Sequence, residues 1–173
     1  QNDYFPGGRM VLEGSPEAAE QAKGVLTRFR EKNWPVVHVQ HLSVRPGATF
    51  FIPETEGVEI HAAVRPVGDE PVVQKHFPNS FRDTDLQERL RACGADHLVI
   101  AGMMTHMCVD ATTRAAFDLG FQCTVLHDGC ATRELSFGEV TVPARQVHAA
   151  FLAALAMVYA SVVSAGEYIS RSG

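Results

Sequence analysis

The chain lacks most of the features that mark the specialised protein classes. It has no Cys-x-x-Cys pair: Cys93, Cys108, Cys123 and Cys130 lie 15, 15 and 7 residues apart. That is neither a zinc-ligand spacing nor the framework of a disulfide-dense scaffold. It has no basic stripe, and with a net charge of −5 a nucleic-acid partner is not expected. Its longest apolar run, residues 149–163, is rich in alanine, interrupted by Tyr159 and Ser161, and without charged flanks. That is too short to span a bilayer, so no membrane partner is expected either. No signal peptide, internal repeat or low-complexity tract is visible. No Gly-x-Gly-x-x-Gly follows a strand, which argues against a nucleotide-binding domain. Scattered, unpaired thiols fit a reducing cytoplasm.

What is present is a chain of 173 residues, 46% apolar and 20% charged, the size and balance of one domain with a substantial core. Ser15-Pro16 reads as an N-cap and first helical position. Residues 18–32 then form a helix with Ala19, Ala22, Val25, Leu26 and Phe29 on its apolar side. Residues 35–40 are a β-branched strand, followed by a long loop from residue 41 to about 70, longer than a connection needs. A strand at residues 72–75 ends on Lys75, and a helix capped by Asp83 or Thr84 runs to Cys93. Residues 97–101 form a strand, 105 or 106 to 119 a helix stopped by Gly120, and 122–127 a strand. A helix over residues 142–157 and a short strand over 160–163 complete the pattern. Such alternation predicts a single-domain, doubly wound α/β fold: a mostly parallel sheet of about six strands with helices on both faces. Sites in such folds lie beyond the carboxyl ends of the strands. Lys75, the loop from Gly102 to Cys108, and His127-Asp128 are expected there.

Cys108 follows the strand directly, in the first turn of the next helix. Unpaired N–H groups and the helix dipole at that position favour thiolate and could hold an oxyanion. A small buried cysteine would also fit the local sequence, and Cys93, Cys123 and Cys130 are assigned that role. Lys75 has two readings as well, a side chain reaching out to solvent or an ammonium in the site.

Three segments occur in order: Gln1-Asn2-Asp3-Tyr4-Phe5-Pro6-Gly7-Gly8, then Val73-Gln74-Lys75-His76-Phe77-Pro78-Asn79-Ser80-Phe81, then Gly102-Met103-Met104-Thr105-His106-Met107-Cys108-Val109. Together they resemble the isochorismatase-like cysteine hydrolases, which include nicotinamidases and N-carbamoylsarcosine amidohydrolases. The resemblance extends along essentially the whole chain, through Arg114-Ala115-Ala116 and Asp118-Leu119-Gly120. It implies an Asp-Lys-Cys triad, with the lysine at Lys75 and the nucleophile at Cys108. The aspartate would fall two residues ahead of Gln1, on a first strand that also lies upstream. Asp3 is not that residue and is expected to support the loop. The resemblance further implies a cis peptide at Met103–Met104 and an oxyanion hole made by the Met104 and Cys108 N–H groups. The implied activity is hydrolysis of a C–N bond in a small amide or ureide through a thioester.

The chain departs from the nicotinamidase pattern at its metal site. His38-Val39-Gln40-His41 has no carboxylate, and two strand residues three apart face opposite ways. No metal and no other cofactor is therefore expected. Tyr4 and His106 are candidates for substrate contact or for packing, and Phe50-Phe51 for a pocket wall or a subunit contact. Two other functions stay open: an isochorismatase-type hydrolase of a non-amide substrate, and a non-catalytic redox or interaction protein that keeps the thiol. The alanine-rich helix suits close packing between subunits, and a homo-oligomer is expected.

Overall fold

The computed structural model describes residues 1–172. Among these, five strands pair in parallel, one fewer than the six expected, and they form two pieces of sheet. In the first, β1 (His38–His41) pairs with β2 (Val72–Lys75), setting His41 beside Lys75. In the second the order is β3-β4-β7, with β3 at His97–Met103, β4 at Gln122–Ala131 and β7 at Ser161–Val163. Among the described residues β1 and β3 do not pair with each other. A groove lies between them, lined by Val37, Val39, Val99 and Ala101. A short antiparallel hairpin, β5 (Leu135–Phe137) and β6 (Val140–Val142), stands apart.

Helices cover both faces of the larger sheet, as the alternating pattern predicts. α1 (Ser15–Glu31) and α5 (Ala165–Arg171) lie on one side, where Val25, Leu126 and Ala165 are buried together with Phe29 and Tyr168 packed against them. α3 (Asp110–Asp118) and α4 (Ala144–Val158) lie on the other, around Val125, Leu152 and Leu155. The neighbours Val125 and Leu126 thus serve opposite cores, which is the two-residue period of a strand buried on both faces. Val125 and Leu155 are 0% exposed and Leu126 1%; burying each such side chain stabilises the fold by about 1.5–3 kcal/mol. α2 (Leu86–Ala92) packs Leu86 and Leu90 against Val73 and Phe121. No helix among the described residues is long and apolar enough to cross a membrane.

Several element ends differ from expectation. α1 is preceded by Gly14 in the left-handed region (φ 73°), and Ser15 is its first residue rather than its cap. The Ser15 hydroxyl instead donates to the Tyr4 carbonyl at 2.7 Å, tying the first segment to the helix. α2 starts at Leu86 because Asp83 has φ 57° and Thr84 donates its hydroxyl to the Ser80 carbonyl, a turn that a continuous helix would break. β4 runs on to Ala131 after a shift in register opposite Ile100–Gly102. His127-Asp128 therefore sits inside the strand rather than at its end, and Asp128 accepts the Ala165 N–H at 2.8 Å.

Candidate active site

Lys75 closes β2, where Val73 and Lys75 are buried and Val72 and Gln74 exposed. The strand's two-residue period therefore turns the lysine inward. It is 4% exposed. An ammonium has three protons to donate, and all three are placed: to the Phe77 carbonyl at 2.8 Å, to His41 Nδ1 at 3.1 Å and to Cys108 Sγ at 3.1 Å. Among the described residues no carboxylate forms an ion pair with it. A cation 3.1 Å from the sulfur favours negative charge on it.

Cys108 lies in a π-helical turn, Thr105–Val109, between β3 and α3. The turn is anchored at both ends. Thr105, fully buried, donates to the Ala131 carbonyl and bonds His148 Nδ1 at 2.9 Å. Thr112, one turn after the cysteine, takes up Ser80 through its backbone N–H at 3.1 Å and its hydroxyl at 2.9 Å. Ser80 follows Lys75 by five residues, so this clasp holds the lysine's loop against the cysteine's helix. The Met103–Met104 peptide just ahead of the turn is cis.

The first segment and the long loop form the next layer. Asp3 is 2% exposed. Its carboxylate accepts the Arg9 N–H at 3.1 Å and the Phe51 N–H at 2.6 Å. A side chain built on Gly57 would overlap that carboxylate, so the loop reaches it only because this position carries none. Gln1 exchanges two hydrogen bonds with the His41 backbone, at 2.7 and 2.8 Å, and also donates to the Val58 carbonyl. The 41–70 loop is thereby folded over the site, with the Phe51 ring 4.6 Å from Tyr4 and 5.9 Å from His41.

The groove beside β1 and β3, about 510 Å³ in volume, reaches this point, with His41, Phe51, Lys75, Ser80, Cys108 and Thr112 on its wall. Neither Tyr4 nor His106 lines it. Tyr4 borders a second cavity of about 330 Å³, beside Met103. Its hydroxyl pKa is raised by burial first and then by the nearby charges of Cys108 and Asp3. His106 is held by the Thr132 hydroxyl and packs edge-on against Phe151, and burial lowers its pKa. Cys123 and Cys130 are placed for packing: burial pushes Cys123 up to about 11 and Cys130 up to about 12, so neither forms thiolate readily. Cys93 departs from the buried role expected of it: it is exposed, because it lies at the C-terminal cap of α2.

Lys75 and Cys108 meet as the sequence suggests, whereas His127-Asp128 does not join them. Sequence reasoning passed over His41, Ser80 and Gln1. His41 had been weighed only as a metal ligand paired with His38. Its ring and that of His38 do diverge, the latter bonding Glu70 at 2.8 Å, but His41 turns to the lysine. Among the described residues no three His, Cys, Asp or Glu side chains converge as metal ligands would.

This geometry has known relatives. A family model, Isochorismatase domain, matches residues 1–167. An isochorismatase family protein of Bacillus subtilis, YddQ, is 49% identical over 98% of this chain and 94% of its own length. The crystal structure of a candidate isochorismatase hydrolase from Oleispira antarctica superposes with a TM-score of 0.95 at 51% identity, covering 98% of this chain and 91% of that one. A streptothricin hydrolase of Streptomyces noursei is 39% identical over 71% of this chain and 45% of its own length. The α/β fold, the helix-anchored cysteine turn and these matches together place the chain in the isochorismatase family.

Proposed function

We propose that this chain is a cysteine-dependent hydrolase that cleaves the C–N bond of a small amide or ureide. The observation that carries the proposal is the 3.1 Å approach of the buried Lys75 ammonium to Cys108 Sγ, with the lysine at the carboxyl end of β2 and the cysteine in the turn that follows β3. A cation held there stabilises the thiolate, the form in which cysteine attacks a carbonyl. The related streptothricin hydrolase and the ureidoacrylate amidohydrolase of Variovorax paradoxus, 31% identical over 68% of this chain and 53% of its own length, support C–N chemistry by their names.

In the proposed reaction Cys108 gives up its proton to an aspartate and its sulfur bonds to the substrate carbonyl carbon. The Met104 and Cys108 N–H groups hold the resulting oxyanion. Collapse breaks the C–N bond as the aspartate returns its proton to the leaving nitrogen, and water then hydrolyses the thioester to acid and free thiol. We place that aspartate two residues ahead of Gln1, on a parallel strand between β1 and β3. The break in pairing between β1 and β3 and the apolar residues of both that line one groove support this placement. Of the two proposed substrate contacts Tyr4 is the better placed, since it borders a cavity beside Met103 whereas His106 is engaged by the Thr132 hydroxyl.

The test is ammonia release from a panel of small amides and ureides by the wild type and Cys108→Ala. The variant should lose at least about a thousandfold in rate on any substrate the wild type accepts. Equal turnover of a substrate by both would remove Cys108 from the mechanism. An alanine or asparagine in place of the upstream aspartate would favour a non-catalytic thiol protein.

A further inference from the structure

We propose that His41 is the positioning residue of the Lys75–Cys108 pair, its neutral imidazole accepting one ammonium proton and thereby aiming another at the sulfur. This rests on the proposal that Lys75 serves Cys108. An ammonium is tetrahedral, so fixing two of its N–H bonds fixes the direction of the third. The Phe77 carbonyl takes one, and His41 Nδ1 takes the second at 3.1 Å. The third then points at Cys108 Sγ, also 3.1 Å away.

His41 is built to hold that position. It ends β1 directly opposite Lys75 in the parallel register. Its backbone N–H and carbonyl are both clamped by the Gln1 amide, and its ring leans on Phe51. The bond to Lys75 requires the lone pair on Nδ1 and the ring proton on Nε2. Burial, followed by the charges of Lys75, His76 and Arg45, holds the imidazole pKa down at about 4, so it is neutral near pH 7. The other ionisable groups on this side of the fold are Cys108 itself, Tyr4 and Asp3, the last already bonded to the Arg9 and Phe51 N–H groups.

The choice of residue follows from the electrostatics. A carboxylate at this position would also accept from Lys75, but it would set a second anion, beyond the proposed aspartate, against the thiolate. A protonated imidazole would repel the ammonium. A neutral acceptor directs the cation without adding a charge.

The test reads Cys108 directly and needs no substrate. The rate of Cys108 carbamidomethylation by iodoacetamide is followed by peptide mass spectrometry between pH 6 and 9, on the full chain of wild type, His41→Asn, His41→Gln and His41→Phe. Asparagine can present its amide oxygen close to the Nδ1 position, so H41N should stay within about twofold of wild type. H41F has no acceptor, and H41Q carries its amide at the Nε2 position. Both should show a profile displaced alkaline by about one unit, or about tenfold slower modification at pH 7. Circular dichroism checks the fold of each, and H41Q decides the matter should H41F not fold. Wild-type behaviour of the folded H41F or H41Q protein, or equal impairment of H41N, would overturn the proposal. Hydrolysis surviving in Cys108→Ala would defeat the proposed function yet leave this readout intact, so the two failures are distinguishable.

Discussion

Lys75 sits where a charge is least welcome, 4% exposed and surrounded by neutral acceptors and a thiol. Replacing a buried charge by an apolar side chain of similar volume is often neutral or favourable for stability. Leaving the Phe77 carbonyl and His41 Nδ1 without a donor costs about 1–3 kcal/mol each. For Lys75→Met these effects oppose, and the melting temperature should move by only a few degrees. The chemistry has no such compensation: hydrolysis should fall by at least about a hundredfold, the lower range for a positioned proton-handling group. Parallel measurement of kcat/KM and Tm checks the split; a large loss of Tm with modest loss of rate would make Lys75 a structural residue. Local spacing places Lys75 and Cys108 at strand ends, but both keep a second reading there, and only the resemblance carried by the three ordered segments implies their roles. His41 was not legible, because its role depends on the β1–β2 register. That pairing joins residues 34 apart in the chain, and no local pattern reports it.

The elements show the same division. Strands and helices with a strong apolar period were readable, among them β2, β3 and the alanine-rich α4. The hairpin β5–β6 was not, since Phe137 is 90% exposed and Val140 62% and neither follows the core pattern. α5 was also missed, although its start carries the Ser-x-x-Glu signature of a capping box. Ser164 accepts the Glu167 N–H, and the Glu167 carboxylate accepts the Ser164 N–H in return. At seven residues the helix is too short to persist on propensity alone. Its cap and the packing of Tyr168 and Ile169 beside Val25 must hold it. Ser164→Ala should therefore lower stability by about 1 kcal/mol in urea denaturation, the usual effect of losing such a cap. No change in the denaturation midpoint would show that packing alone carries α5.

Across the whole molecule, partly buried histidines and one hydrogen-bonded carboxylate set how the fold responds to acid. His41, His61, His106 and His148 all have lowered pKa values, with burial the first cause in each. Their folded values lie below the unfolded value of about 6.5. The unfolded chain therefore takes up protons first as pH falls, and stability present above about pH 6.5 is lost progressively below it, for His41 down to about pH 4. Glu70 acts lower on the scale. Its carboxylate is bonded by Arg30 at 2.7 and 2.8 Å and by His38 at 2.8 Å, and the Arg30 bond leads in holding its pKa down to about 2. The stability it contributes is present above its unfolded value of about 4.5 and lost towards about pH 2. A plot of Tm against pH should thus be level between about pH 7 and 8.5, decline between about 6.5 and 4, and steepen below 4.5. Removing the most depressed histidine separates the two regions: His41→Asn should flatten the upper decline and leave the lower one, where Glu70 still ties α1 to β1, unchanged. A wild-type Tm that stays level down to pH 4.5 would mean that these imidazoles protonate in place without opposing the fold.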